Sequence, residues 1–267
     1  MNTVYVHSDS NTRGYYGVSL EEEICRAHLS GPVKDNLLDR EEREAFSDKL
    51  RTLATDTGFI KSERLLADIQ ALEDERVCVQ NFRIGEAYAE VILEENFKCR
   101  FHWNEHRDAR NPKGNKTGAD LVGFIEVDEQ VLFLFGEVKT SSETANRPPQ
   151  IMTNADGLEN QLRDLYSIGE KRRILIAYLQ NKARIFPEGH PFKEDLNAGI
   201  KAYYSANGSY QLIGVLVRDV EPDENDISIS YGRIKEDILD PIGLKLLALY
   251  LPIKKAEWLQ IINQRAE

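Results

Sequence analysis

Two apolar segments separated by a short polar one form the clearest pattern in the chain. Leu121 to Val127 and Val131 to Val138 are rich in β-branched and aromatic residues, and Asp128-Glu129-Gln130 between them has the polar character of a turn. The pattern predicts a β-hairpin. Alternation along its strands puts phenylalanines on one face and aliphatic residues on the other, so we expect a sheet that is covered on both sides.

The turn sets which side chains of the hairpin meet. If Asp128 and Glu129 are the two turn residues, Asp120 lies directly opposite Glu137, on the same face and with its Cβ about 5 Å away. Lys139 is two positions beyond Glu137 and shares that face. Asp-Glu is an unusual sequence for a type I′ turn, and a slip of one residue would put the carboxylates on opposite faces. In this register the hairpin brings two carboxylates and one ammonium group together.

The spacing of apolar residues predicts further elements on both sides of the hairpin. Before it we expect helices over Leu20–Leu29, Arg40–Ala54, Ser62–Leu72 and Arg83–Leu93. After it we expect a helix over Leu158–Ile168, a strand over Arg172–Leu179, a helix over Phe192–Tyr204, a strand over Gln211–Val217, an edge strand over Asp226–Tyr231, and a helix over Pro241–Gln264 with an interruption at Pro252. This order predicts an α/β fold: a mixed central β-sheet flanked by helices, with a mainly helical N-terminal region. We place the boundary between an acidic region, 1–77, and a core domain, 78–267.

Composition narrows the classes of protein that the chain can belong to. With 267 residues, 41% of them hydrophobic, it can bury a full core. No apolar run approaches the roughly 20 residues of a membrane span, and Met1 to Val6 lacks a signal-peptide pattern, so a cytoplasmic protein is expected. The three cysteines, Cys25, Cys78 and Cys99, are isolated, and their spacing predicts neither a disulfide framework nor a zinc site.

Charge is distributed unevenly along the chain. The net charge is -11, and residues 1–80 hold 16 acidic against 10 basic residues, whereas residues 98–118 hold six basic against two acidic residues. This basic linker leads directly to Asp120 and interleaves its cations with His102, Trp103 and His106, a combination typical of segments that bind a nucleic-acid strand. An ordinary solvated loop is the alternative. The candidate contact residues in it are Arg107, Arg110, Lys113 and Lys116.

The hairpin residues are the candidate site. Carboxylates at the ends of strands buried on both faces are costly to desolvate without a partner, and Mg²⁺ with its oxygen ligands is a natural one. The alternatives are an exposed Glu137–Lys139 ion pair at a strand end or, in a different fold, a surface ion-pair network with the carboxylates more than about 8 Å apart, beyond the reach of directly paired strand residues.

These residues resemble the PD-(D/E)XK nuclease superfamily, whose signature is an acid at the start of one core strand and (D/E)-x-K on the next. Here the signature is Ala119-Asp120 and Glu137-Val138-Lys139, with alanine in place of the proline. The resemblance implies a glutamate on the preceding helix, for which Glu86 is the first choice and Glu90 the reserve. It also implies that Asp120, Glu137 and the Val138 backbone carbonyl hold Mg²⁺ or Mn²⁺, while Lys139 orients the attacking water.

A narrower resemblance rests on the order of motifs. Gly118-Ala119-Asp120-Leu121-Val122-Gly123-Phe124 and Gly136 to Ser141, behind an acidic leader and a basic linker, are similar to the HamA family, the nuclease subunits of the Hachiman antiviral defence system. This resemblance implies DNA as substrate and a helicase partner, HamB, that inhibits or positions the nuclease. Gln161 is a further candidate for substrate contact on the next helix. Some relatives have a Gln-x-x-x-Tyr motif on this helix, but here Tyr166 is five rather than four residues beyond Gln161, so that motif is not matched. A stand-alone restriction or recombination nuclease, and a catalytically silent binding or scaffold module, stay open.

Overall fold

Seven strands in the described residues form one mixed sheet at the centre of the molecule. The structure is a computed structural model that describes residues 1–108 and 118–264. The strands are β1 (Asn2–Ser10), β2 (Arg13–Ser19), β3 (Cys99–Arg100), β4 (Leu121–Val127), β5 (Gln130–Ser141), β6 (Gln211–Arg218) and β7 (Gly243–Tyr250). Their order is β1-β2-β7-β6-β5-β4-β3, and β2, β7, β6 and β5 run parallel. The predicted α/β class with a mixed sheet flanked by helices is confirmed.

Helices cover both faces of this sheet. They are α1 (Glu22–Ser30), α2 (Pro32–Leu38), α3 (Arg40–Thr55), α4 (Glu63–Glu73), α5 (Asn81–Phe97), α6 (Gln150–Thr153), α7 (Leu158–Ser167), α8 (Gly169–Ala183), α9 (Pro191–Tyr203), α10 (Ser228–Asp237) and α11 (Trp258–Asn263). Short 3₁₀ helices occupy Glu105–Asp108, Glu224–Asp226 and Lys255–Glu257. Within residues 1–108 and 118–264, no helix combines the length and the apolar character needed to cross a membrane.

The hairpin of β4 and β5 has the predicted register. Leu121 pairs with Gly136, so Asp120 and Glu137 are the next opposed positions. Asp128 and Glu129 both adopt positive φ, 49° and 62°, which is the backbone of a type I′ turn. The side-chain amide of Asn11 donates to both carboxylate oxygens of Asp128, at 3.0 and 3.1 Å. This contact from the β1–β2 turn helps hold a conformation that Asp-Glu by itself does not favour.

The two faces of the hairpin lie in two separate apolar layers, as the alternation predicted. Leu121, Ile125, Leu132, Leu134 and Val138 pack with α1, α2, α5 and α11 in the first layer. Phe124, Phe133 and Phe135 pack with α7, α8, α9 and α10 in the second layer. These phenylalanines are fully buried, and each such side chain stabilises the fold by about 1.5–3 kcal/mol relative to an exposed one.

The predicted strand over Arg172–Leu179 is wrong, because these residues belong to helix α8. Leu175, Ile176 and Leu179 are buried, whereas Ile174 is 61% exposed. Leu175 is followed by buried residues one and four positions later, which is the pattern of a helix with one apolar stripe. The short apolar run was ambiguous because periodicity alone cannot separate a buried strand from a helical stripe.

Two predictions near the end of the chain are also wrong. Residues 226–231 are not an edge strand: they end one short 3₁₀ helix and begin α10, which buries Tyr231 and Ile234 one helical turn apart. Pro241–Gln264 is not mainly helical, since Gly243–Tyr250 forms the central strand β7 between β2 and β6. A central strand buried on both faces is almost continuously apolar and therefore lacks the alternation that identifies half-buried strands.

The first 77 residues contain both strands and helices. Helices were predicted close to the observed α1, α3 and α4, whereas β1 and β2, which extend the sheet beyond β7, were not predicted. Helices α3 and α4 pack chiefly against each other, and each buries a single residue, Ser47 and Leu65. The domain boundary at residue 77 stays a prediction.

Candidate functional site

Asp120, Glu137 and Lys139 lie together where β4 begins and β5 approaches its carboxyl end. The Val138 backbone N–H donates to Asp120 Oδ2 at 3.0 Å, which fixes the aspartate against β5. Glu137 Oε2 lies 3.8 Å from Lys139 Nζ, and Glu137 is only 3% exposed. The hairpin register therefore produces the predicted convergence of two carboxylates and one ammonium. Val138 lies between them, and the role of its carbonyl stays a prediction.

The electrostatics of this group are dominated by negative charge in a buried position. Burial raises the pKa of Glu137, and the adjacent Asp120 carboxylate adds to the increase by charge repulsion and by hydrogen bonding to the protonated form, so that the pKa is about 9. Lys139 acts in the opposite direction, while Glu86 adds to the increase. Without a bound cation, the Asp120–Glu137 pair therefore holds a proton at neutral pH.

This donor set fits a hard divalent cation. Two adjacent carboxylates offer oxygen ligands of the kind that Mg²⁺ and Mn²⁺ bind, and the raised pKa of Glu137 indicates an unmet requirement for positive charge. The described part of the chain contains no group of three or more His, Cys, Asp or Glu side chains arranged to hold a metal. Backbone oxygen, water or substrate oxygen must then complete the coordination, as is usual for Mg²⁺.

Glu86 lies on α5, on the side that faces the hairpin. It is 6% exposed, its Oε2 accepts a hydrogen bond from Arg83 Nη1 at 2.8 Å, and its charge reaches Glu137. Arg83 was not predicted from the sequence, although its spacing of three residues from Glu86 on one helix was an available signal. The reserve, Glu90, accepts a hydrogen bond from the Asn36 side chain of α2 at 2.7 Å. The charge of Glu86 acts on Glu137.

Close packing brings α5 against β5. A Cβ atom on Gly85 would lie 2.2 Å from Thr140 Oγ1, so the helix reaches this position only because residue 85 has no side chain. Thr140 Oγ1 is buried and has no hydrogen-bond partner among the described residues. The Ser141 hydroxyl is already used, because it accepts from the Glu143 N–H at 3.1 Å.

Gln161 lies on α7, between the buried residues Leu158 and Leu162. Its Oε1 is buried without a hydrogen-bond partner in the described part of the chain. Both leucines lie near Gly214, the residue of β6 that pairs with Glu137. This helix thus flanks the site, and contact of Gln161 with substrate stays a prediction.

The basic linker is largely neutralised where the structure describes it. Both oxygens of Asp39, at the junction of α2 and α3, accept from Arg107 at 2.7 and 2.9 Å, and both side chains are mostly buried. Two cations contact the Trp103 ring, with Arg107 Cζ 5.0 Å and Lys182 Nζ 4.7 Å from its centre. Arg107 is therefore committed to the N-terminal region. The other predicted contacts, Arg110, Lys113 and Lys116, lie outside the described residues.

No family model matches the chain, and no curated protein matches it.

Proposed function

We propose that this protein is a divalent-metal-dependent nuclease that hydrolyses phosphodiester bonds in DNA. The observation that carries the proposal is the arrangement at the hairpin, where Asp120 and Glu137 lie side by side with Lys139 Nζ 3.8 Å from Glu137. Acids on neighbouring strands with a lysine two residues further are the arrangement that the resemblance to PD-(D/E)XK nucleases implies. The fold is compatible with it, since both strands belong to a mixed sheet flanked by helices.

Each side chain has a specific task in this proposal. Asp120 and Glu137, with the Val138 carbonyl, hold Mg²⁺ or Mn²⁺, which when bound polarises the scissile phosphate and acidifies a coordinated water. Glu137 must lose its proton for this, so metal binding is expected to tighten as the pH rises. Lys139 orients the attacking water and stabilises the negative charge that develops on the phosphate. Glu86 holds the arrangement from α5, and Arg83 balances its charge.

Cleavage assays test the proposal directly. Purified protein is incubated with plasmid and with single-stranded DNA in Mg²⁺, Mn²⁺ or EDTA, beside the variants Glu137→Ala and Lys139→Ala. Cutting that needs the metal and is lost in both variants is the expected result. Lys49→Ala removes the same kind of side chain from an exposed position on α3 and serves as the matched control. If either hairpin variant keeps cutting at the wild-type rate, the assignment of the site is wrong.

A helicase partner that inhibits or positions the nuclease is the second part of the proposal, and an effector role in antiviral defence of the Hachiman type follows from it. The resemblance to HamA suggests the partner. The ion pair between Asp39 and Arg107 supports an inhibited state, because an acidic residue of the N-terminal region neutralises a linker cation that would otherwise contact DNA. Adding the co-purifying partner to the cleavage assay tests this part. Strong sequence-specific cutting by the isolated chain would instead favour a stand-alone restriction or recombination nuclease.

A catalytically silent nucleic-acid-binding or scaffold module is the second candidate. The observation in its favour is that the described residues supply two adjacent carboxylates rather than a group of three or more metal ligands. Melting temperatures measured with increasing Mg²⁺ or Mn²⁺ separate the two functions. A nuclease should be stabilised by metal in the wild type and not in Asp120→Asn, whereas a silent module should respond to metal in neither.

A further inference from the structure

Helix α8 borders the hairpin site. Glu137 and Lys139 lie on the face of β5 that also carries Phe135, and this face packs in the second apolar layer, which contains α8. At the start of β4, a Cβ atom on Gly118 would lie 3.0 Å from Leu175 Cδ2 of α8, and this glycine is two residues before the first carboxylate of the site. A substrate of the proposed site is therefore expected to pass close to this helix.

The segment that contains most of α8 is basic. Residues 171–187 contain no acidic residue and five cations, namely Lys171, Arg172, Arg173, Lys182 and Arg184. The chain as a whole has a net charge of -11. This helix therefore differs in charge from the rest of the molecule, and it matters which of its cations are already used within the protein.

Three of these cations are held by neighbouring groups. Lys171 Nζ donates to Asp164 Oδ2 at 2.8 Å, and Lys182 forms an ion pair with Asp108. Arg172 donates to a tyrosine hydroxyl of α9 at 3.0 Å and to two backbone carbonyls near the end of α7. Both carboxylates are thereby neutralised where they meet the helix.

The other two cations are free. Arg173 and Arg184 are exposed, and their guanidinium groups form neither an ion pair nor a hydrogen bond within residues 1–108 and 118–264. Most of the other described arginines bind carboxylates or backbone carbonyls. The nearest acids along the chain do not neutralise them, since Glu170 forms no ion pair with Arg173, and Glu188 is held by Lys193 at 2.6 Å.

The two free arginines lie on one side of the helix. They are 11 positions apart, which is about three turns, so they project in nearly the same direction from points about 16 Å apart. Arg184 keeps helical backbone angles at the C-cap, with φ -60° and ψ -27°. Ala177 and Gln180 are exposed on the same stripe, one and two turns beyond Arg173. The alanine leaves the middle of the stripe open, and the amide can donate to a phosphate oxygen.

This stripe suits the phosphate backbone of a nucleic acid. Each DNA strand carries one phosphate per roughly 3.4 Å of duplex axis, so about 16 Å spans several of them, and arginine binds phosphate by paired hydrogen bonds. Ile174 and Ile185, beside the arginines, are 61% and 70% exposed and would suit an acidic protein instead. The position of α8 beside the hairpin favours the nucleic acid.

We propose that the exposed side of α8 binds the phosphate backbone of DNA, with Arg173 and Arg184 each contacting a phosphate and Gln180 donating between them. These contacts do not depend on base sequence. The inference rests on the proposed function for its choice of ligand, but it does not require cleavage, because the same surface serves a nuclease and a catalytically silent nucleic-acid-binding module.

Equilibrium binding of a short DNA duplex to the full chain in EDTA tests the proposal without cleavage. Arg173→Gln and Arg184→Gln should each weaken binding about eightfold at ~0.1 M salt. Each should also reduce the slope of log K against log salt concentration by about 0.9, which is the contribution of one phosphate contact. Arg64→Gln is the matched control, because Arg64 is likewise exposed and unpaired among the described residues but lies on α4. It should bind like the wild type.

Two results in EDTA would overturn the proposal. They are no binding of the duplex by the wild type, and wild-type affinity and salt dependence in both α8 variants. Weaker binding of poly-L-glutamate by the α8 variants, with unchanged binding of DNA, would assign the surface to an acidic protein instead. Because neither guanidinium is bonded within the protein, both variants should keep the wild-type melting temperature.

The cleavage assay separates this proposal from that of the nuclease. DNA binding that depends on Arg173 and Arg184, combined with no cutting in Mg²⁺ or Mn²⁺, would support the α8 surface and refute the nuclease. Metal-dependent cutting with the same KM in the wild type and in both α8 variants would support the nuclease and refute the α8 surface.

Discussion

Replacing Glu137 by glutamine should change how the stability of the metal-free protein depends on pH. In the unfolded chain a glutamate is ionised above its usual pKa of 4.5, whereas in the folded protein Glu137 keeps its proton until about pH 9. The folded state therefore binds more protons over this range, and stability falls as the pH rises. The contribution is fully present below pH 4.5 and is lost progressively on the way to the folded pKa.

The size of the effect follows from the same numbers. Each pH unit between the two pKa values costs about 1.4 kcal/mol, so raising the pH from 6 to 8 costs at most about 3 kcal/mol. Glutamine cannot ionise, so Glu137→Gln should lack this loss and should be the more stable protein at pH 8.

Urea unfolding in EDTA at pH 6 and at pH 8 measures the difference. Glu129→Gln, in the exposed hairpin turn, makes the same chemical change without burial and should follow the wild type. The reasoning is refuted if the free energies of unfolding of the wild type and Glu137→Gln change in parallel between the two pH values. In that case Glu137 is ionised in the folded protein, and its burial does not hold a proton.

Three further predictions test a close helix contact, an ion pair and the burial of the cysteines. Gly85→Ala should destabilise the fold by about 1–3 kcal/mol in urea unfolding, because the new Cβ would overlap Thr140. Gly232→Ala is the control: this glycine has open space around it on α10, so the alanine should stabilise the fold by up to about 1 kcal/mol. Equal effects of the two substitutions would contradict the close contact between α5 and β5. Arg107→Gln and Asp39→Asn should each cost about 1–3 kcal/mol, and a double-mutant cycle should show coupling, whereas additive losses would argue against the ion pair. A thiol reagent should modify only Cys78 in the native protein. Cys25 and Cys99 are buried, and burial raises their pKa values to about 11 and about 12, so neither forms the reactive thiolate readily. Rapid modification of more than one cysteine would contradict this prediction.

The hairpin was predictable because its information is local. Alternation fixed the two faces, and the polar pair Asp128-Glu129 fixed which residues oppose each other. The approach of α5 also has a local signal, since Gly85, Ala87 and Ala89 leave little side-chain volume on that helix. The candidate acids and lysine could therefore be identified before the rest of the fold was known.

Other features depended on tertiary contacts that no local pattern contains. Residues 243–250 form a strand because β2 and β6 flank them and both faces are covered, whereas their apolar run by itself also suits a helix. Arg107 lies in a basic segment with interleaved aromatic residues, which is typical of a DNA contact. Only the fold shows that Asp39, 68 positions earlier in the chain, neutralises its charge.

What the sequence by itself determined about this protein was the hairpin, the α/β class and the set of side chains that meet at Glu137. Only the tertiary structure decided how deeply Glu137 is buried and which cations stay paired. The physical reason is that periodicity and turn chemistry act between neighbours along the chain, whereas desolvation and ion pairing depend on which distant segments the fold brings together.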